Sequence, residues 1–168
     1  MKNLITLIAA VVLVAVAATA NAQVTGTATG SATIITPIAI ANAGNMNFGS
    51  IAVSTAPGTV ALSTAAVRTA SGGVTLPAVT GSVTTAKFTV TGLGASTYSI
   101  SLPSSYIISD GASHSMTVNN FVSDPSGTGA LTNGTQTINV GATLNVLASQ
   151  TAGTYTNATG FNVTVNYN

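Results

Sequence analysis

One stretch of the sequence holds the side-chain types of an acid–base centre, Asp110-Gly-Ala-Ser113-His114-Ser115. A hydrolytic triad needs a hydroxyl nucleophile, a base and an orienting acid within hydrogen-bond reach of one another. His114 is the single histidine of the chain, so such chemistry would have to run through it. The same residues also describe a hairpin turn, where Asp, Gly and Ser are favoured for backbone reasons. No Gly-x-Ser-x-Gly elbow surrounds them. Glycoside hydrolysis would require two carboxylates flanking one bond. The chain offers only Asp110 and Asp124, at the two ends of a segment that reads as a strand, and turn chemistry explains both. There is no Cys, and one His with two Asp is too few ligands for a metal cage. No phosphate loop or dinucleotide fingerprint is present. The expectation is a protein that is not an enzyme, with no catalytic, metal or cofactor-binding residues and no cofactor.

The composition agrees with that expectation. Charged residues make up 3% of the 168 residues, against roughly 25% in an ordinary soluble domain. Hydrophobic residues make up 46%, enough to bury a core. The N-terminus reads as an export signal over residues 1–22. Lys2 is its positive start, residues 4–18 its apolar run, and Ala20-Asn21-Ala22 a small-residue cleavage site before Gln23. The run is shorter than the ~20 apolar residues of a membrane helix, so no stable membrane span is expected after cleavage. Removing Lys2 leaves Arg68 and Lys87 against Asp110 and Asp124, a neutral chain. A neutral surface has no basic footprint for nucleic acid, and near-zero net charge favours self-association. The expected destination is the exterior or the cell surface, reached through the periplasm.

The elements that must position these residues are strands. Beyond Gln23 the hydrophobic period is two, as in Phe88-Thr-Val-Thr and Phe161-Asn-Val-Thr-Val-Asn-Tyr167. Such alternation gives a half-buried strand. Strands are expected over residues 32–41 with an interruption at Pro37, 46–53, 59–63, 86–91, 97–102, 115–122, 136–140, 143–148 and 161–167. Asn133-Gly134 predicts a two-residue hairpin turn, and Asp110-Gly111 a similar one. Gly72-Gly73, Gly92, Gly94 and Pro125 mark loops. Eight or nine short strands at this spacing predict an all-β, immunoglobulin-like β-sandwich over residues 32–168. Phe48, Phe88, Phe121 and Phe161 are its expected core anchors. Lys87 is expected to face outward, protecting an edge. The sequons at Asn133, Asn157 and Asn162 match the glycosylation pattern, but chance matches are expected in an Asn- and Thr-rich chain.

Residues 23–31 stand apart as an N-terminal extension. Val24, Gly26, Ala28, Gly30 and Ala32 alternate with Thr25, Thr27, Thr29, Ser31 and Thr33. One face is small and apolar, the other hydroxylic. It is either a flexible terminus or a strand that pairs with an edge, its own or a neighbour's.

Several motifs carry a family resemblance. The stretch from Ala32-Thr-Ile-Ile-Thr-Pro to Asn-Met-Asn-Phe-Gly49 resembles the opening of the bacterial domain-of-unknown-function family forty-four-oh-two. So do Phe88-Thr-Val-Thr-Gly92, Met116-Thr-Val-Asn-Asn-Phe121, Val140-Gly-Ala-Thr-Leu-Asn-Val146, Gln150 and Gly153-Thr-Tyr155. That resemblance implies a secreted all-β domain. More distantly, Gly153-Thr-Tyr155 with the C-terminal strand is similar to chaperone–usher pilins and spore-coat-U-like subunits. This second resemblance implies an incomplete sandwich filled by a neighbour's N-terminal extension. The donor stripe would be Val24, Gly26, Ala28, Gly30 and Ala32, and the C-terminal pairing strand Phe161, Val163, Val165 and Tyr167. It also implies related subunits, a periplasmic chaperone and an outer-membrane usher as partners.

The expected function is therefore a secreted, non-catalytic structural subunit of a cell-surface filament, fimbria or extracellular matrix, assembling through β-strand pairing. The alternative is a monomeric surface binding module, carbohydrate-binding or adhesin-like, using end loops with Tyr98 or Tyr106 as aromatic contacts.

Overall fold

The computed structural model describes residues 23–168; the expected export signal and its cleavage site lie outside them. Residues 23–34 are exposed throughout and form no strand. Ile35–Asn168 form a compact unit of their own. Its ten strands are β1 (Ala39–Gly44), β2 (Ala52–Leu62), β3 (Arg68–Thr75), β4 (Ala86–Thr91), β5 (Thr97–Ser101), β6 (Ser105–Ser109), β7 (Ser115–Asp124), β8 (Thr128–Ala130), β9 (Thr135–Val146) and β10 (Thr164–Tyr167). They form two antiparallel sheets, one of seven strands and one of three. The described residues are all-β, and the two sheets pack as a β-sandwich. The division into seven and three differs from the four and three of a constant-type immunoglobulin domain.

The period-two pattern places the core. In β4, Ala86, Phe88 and Val90 are buried while Lys87 and Thr91 are exposed. In β9 the even positions from Ile138 to Val146 are all buried. β9 is the spine of the larger sheet. Asn139 pairs with Lys87 of β4 and Asp124 of β7, and Asn145 with Thr59 of β2 and Thr117 of β7. One edge of β9 therefore serves β4 and then β2, while β7 follows the other. The changeover falls at Gly141, where a Cβ would run into the Leu62 carbonyl.

The two halves of β9 meet different things. Its first half and β4 face the small sheet, so Phe88, Val90, Ile138 and Val140 pack with Tyr98, Ile100, Val163 and Val165. Gln136 accepts a hydrogen bond from the Tyr98 hydroxyl at 2.7 Å and one from the Ala130 amide at 2.9 Å. The second half packs with Phe48, Val60, Leu62, Val74 and Val118, and receives nothing from β5, β8 or β10. The second layer thus covers only part of the first.

Several local expectations are corrected. Residues 32–38 are not strand; β1 begins at Ala39, beyond Pro37, which has no N–H to donate. Residues 46–51 are not strand apart from one bridge, Asn47 to Thr84. The Asn47 side chain accepts the Gly49 amide at 2.8 Å, and Gly49 turns with φ +70°. The Arg68 guanidinium then takes the Phe48 and Ser50 carbonyls at 2.7 and 2.8 Å, groups a ladder would otherwise use. Gly72-Gly73 is no loop but lies inside β3, opposite a register shift in β2. Residues 136–148 are a single strand through Gly141, ending at Val146. The last strand is confined to Thr164–Tyr167, and β3, β6 and β8 appear where no strand was expected. The Asn133-Gly134 turn forms as expected, with φ of 51° and 77° and reciprocal bonds between Thr132 and Thr135. Lys87 faces outward, but from β4, which is paired on both sides and is no edge.

Candidate functional site

Where the second layer stops, a groove of about 1060 Å³ opens over the larger sheet. Its volume lies just above the range of about 300–1,000 Å³ common for ligand pockets. Its floor is set by strand register. Tyr106 lies opposite Val118, and Val118 opposite Leu144. Residues directly opposite share a face, so β6, β7 and β9 present one apolar row, with Ile108, Met116 and Val146 beside it. Residues 42–53 line one part of the groove and residues 150–161 another. The polar lining includes the amides of Asn42, Asn45, Asn47, Gln150 and Asn157, and no charged side chain is among the lining residues.

Residues 147–163 carry no strand and form a strap between β9 and β10. The Ser149 amide donates to the Ser54 carbonyl at 2.8 Å, tying one end to β2. Further on, Ser109 and Thr156 exchange two backbone hydrogen bonds at 2.9 and 2.8 Å. Tyr106 donates to the Asn157 carbonyl at 2.9 Å, and the Asn157 side chain donates to the Ile107 carbonyl at 2.7 Å. Phe161 then anchors the chain edge-on against Phe88 and Tyr106, with ring centroids 6.2 and 5.6 Å away. In the sequence this stretch was marked only by the resemblance motifs Gln150 and Gly153-Thr-Tyr155, between strands expected over 143–148 and 161–167.

The acid–base candidates serve the turn. His114 Nδ1 lies 2.6 Å from Asp110 Oδ2. The other Asp110 oxygen accepts the amides of Ala112 at 2.9 Å and His114 at 3.3 Å, which closes the β6–β7 connection. These bonds, that from His114 foremost, hold the Asp110 carboxyl below the usual carboxylate range. No hydrogen bond joins Ser113 or Ser115 to His114 among the described residues. Asp124 stands at the far end of β7, opposite Asn139. Tyr98 is wholly buried, and burial pushes its phenol up in pKa, as it does that of Tyr106. Phe48 and Phe88 are buried, and Phe121 and Phe161 half-buried against them, as core anchors should be.

A model of the domain-of-unknown-function family DUF4402 matches residues 38–167. The chain belongs to that family. No curated protein and no solved structure was found to match it.

The DUF4402 region contains the groove, the strap and β10, and leaves residues 23–34 outside it. In those residues Val24, Gly26, Ala28, Gly30 and Ala32 are all exposed, and Ile34, which continues their alternation, is 94% exposed. Within the DUF4402 domain, Val163 and Val165 are buried and Phe161 and Tyr167 half-buried, all in the first core cluster. β10 pairs with β5 along one side and is the end strand of its sheet. The Tyr167 hydroxyl accepts the Leu93 amide at 2.6 Å and donates to the Thr36 carbonyl at 2.9 Å.

Proposed function

We propose that this DUF4402 protein is a secreted, non-catalytic structural subunit of a cell-surface filament, fimbria or extracellular matrix, and that it assembles through β-strand pairing. The observation that carries this reading is the hollow over β6, β7 and β9, where Tyr106, Ile108 and Met116 are half-buried above the buried Val118, Leu144 and Val146. A strand-like guest must supply alternate apolar side chains and a backbone to pair. Residues 24–34 of a neighbouring subunit have that alternation, carry no charge and stand exposed. Their Thr and Ser face would remain toward water. A charge-free groove lining and a charge-free guest avoid the cost of burying ions. The free side of β10 offers a second edge for main-chain pairing.

The test removes residues 23–32 from the exported chain. The chain beginning at Gln23 is expected to form polymers visible by electron microscopy and sedimentation, and the shortened chain to remain monomeric. Identical polymers from the shortened chain would show the pairing mechanism to be wrong. The carbohydrate-module alternative has little to work with in the aromatic residues named for it. Tyr98 is inaccessible and the Tyr106 hydroxyl is bonded to Asn157.

A further inference from the structure

We infer that residues 149–160 are a gate over the groove, closed in the isolated subunit and displaced as a unit when a second copy's N-terminal segment enters. This rests on the proposed strand-pairing role and adds its regulation.

Four observations carry it. The strap lines the groove along nearly its whole length from Gln150 to Phe161, yet the second core cluster takes no side chain from it. It borders the hollow without filling it. Long connections without strands of their own are uncommon in compact domains and are often lids or binding loops. Second, its internal order is local. Gln150 donates to the Tyr155 hydroxyl at 2.9 Å, and that hydroxyl donates to the Thr151 carbonyl at 2.7 Å. The segment can therefore move without losing this staple. Third, it is bounded by two left-handed residues, Ser149 at φ 51° and Gly160 at φ 73°. Beyond Gly160 the chain is fixed by Phe161 among Phe88, Tyr106 and Phe121. Hinges lie at such element-terminal positions.

The fourth observation concerns what the strap touches. β6 pairs only with β7, so its outer edge is free for another strand. The strap occupies that edge at one place, the Ser109–Thr156 bridge, reinforced by Tyr106 and Asn157. A single bridge is the least pairing that can cap an edge. It shields the strand from indiscriminate partners and can be exchanged for a longer ladder. The gate thus opens when a guest offers more backbone pairing along β6 than the strap does.

The chain has no cysteine, so an engineered pair is the only disulfide in it. Ser109 and Thr156 exchange both backbone hydrogen bonds, which places their Cα atoms about 5.5 Å apart, within disulfide range. In the full exported chain carrying Ser109→Cys and Thr156→Cys, oxidation is expected to slow polymer growth at least tenfold, and reduction to restore it. Equal growth in both states, with the bond confirmed by mass, would overturn the gate while leaving the subunit reading intact. Hydrogen exchange on the unmodified chain tests the gate apart from polymerisation. The Ser109 and Thr156 amides are expected to exchange at least a hundredfold faster than that of Leu144. If they exchange as slowly as Leu144 the strap does not open, whether or not polymers form. If no form of the chain polymerises, the subunit reading fails and this exchange ratio alone decides the gate.

Discussion

At the scale of single residues, Asp110 and His114 show how catalytic types can be spent on a turn. The carboxylate takes two amides on one oxygen and faces the imidazole with the other. Among the described residues the imidazole's hydrogen-bond partner is Asp110, and neither Ser113 nor Ser115 bonds to it. The lowered Asp110 pKa has a consequence of definite sign. Its stabilising effect is complete above the ordinary carboxylate value of about 3.9 and is lost as pH falls through the lower folded value. Carbon-detected NMR titration is expected to find the Asp110 midpoint below about 3.9. His114→Ala should move it upward, since the bond from His114 is the largest cause. An unchanged midpoint in that variant would show the loop amides to be sufficient. Arg68 teaches the opposite lesson. In the sequence it counts only toward the charge balance, yet it is the clasp that holds residues 48–50 out of the sheet. Nothing in its neighbours along the chain could have shown this, because its partners are backbone carbonyls some twenty positions earlier.

At the scale of elements, alternation was legible wherever side chains set the register. β4 falls on the expected residues, and the Asn133-Gly134 turn has the backbone its residue types require. The strands that escaped notice are those whose pairing owes little to apolar alternation. β3 runs through two glycines, β8 is three residues long, and β6 carries neighbouring Ile107 and Ile108 on opposite faces. Glycine also misled in the other direction. Gly141 reads as a break between two strands, but it is what allows one strand to carry two partners on the same edge. Gly141→Ala should cost about 1–3 kcal/mol, as overpacking does, lowering Tm by several degrees. Calorimetry checks this; an unchanged Tm would mean that the Leu62 carbonyl can retreat. The groove was the least legible feature. It arises from the absence of facing strands over half a sheet, and no residue announces an absence. Only the unexplained alternation of residues 24–32 hinted that some strand had its partner elsewhere.

At the scale of the whole molecule, near-neutrality shapes how copies should meet. Residues 23–168 carry two cationic side chains and two carboxylate side chains, none of them lining the groove. Screening therefore has little to act on. Polymer growth measured by light scattering is expected to change less than about twofold between 0.01 and 1 M ionic strength, across which the Debye length falls from about 30 to 3 Å. A tenfold slowing with salt would point instead to charge-steered contacts. The sandwich class could be read from strand number and spacing, but the seven-to-three division could not. It depends on β9 collecting β2, β4 and β7, strands scattered across the chain.

That dependence has a consequence in time. A chain leaving an export channel from its N-terminus would deliver β1 to β8 before the strand that gathers β2, β4 and β7 into one sheet. The bond from Tyr167 to Thr36 spans almost the whole compact unit and can form only when both ends are free of the channel. Under the proposed export, folding would thus be deferred until emergence is nearly complete, while the alternating residues 24–34 would have been outside from the start. Under the proposed strand-pairing role, the interval between those two moments would be when a subunit has its guest segment but no groove of its own to put it in.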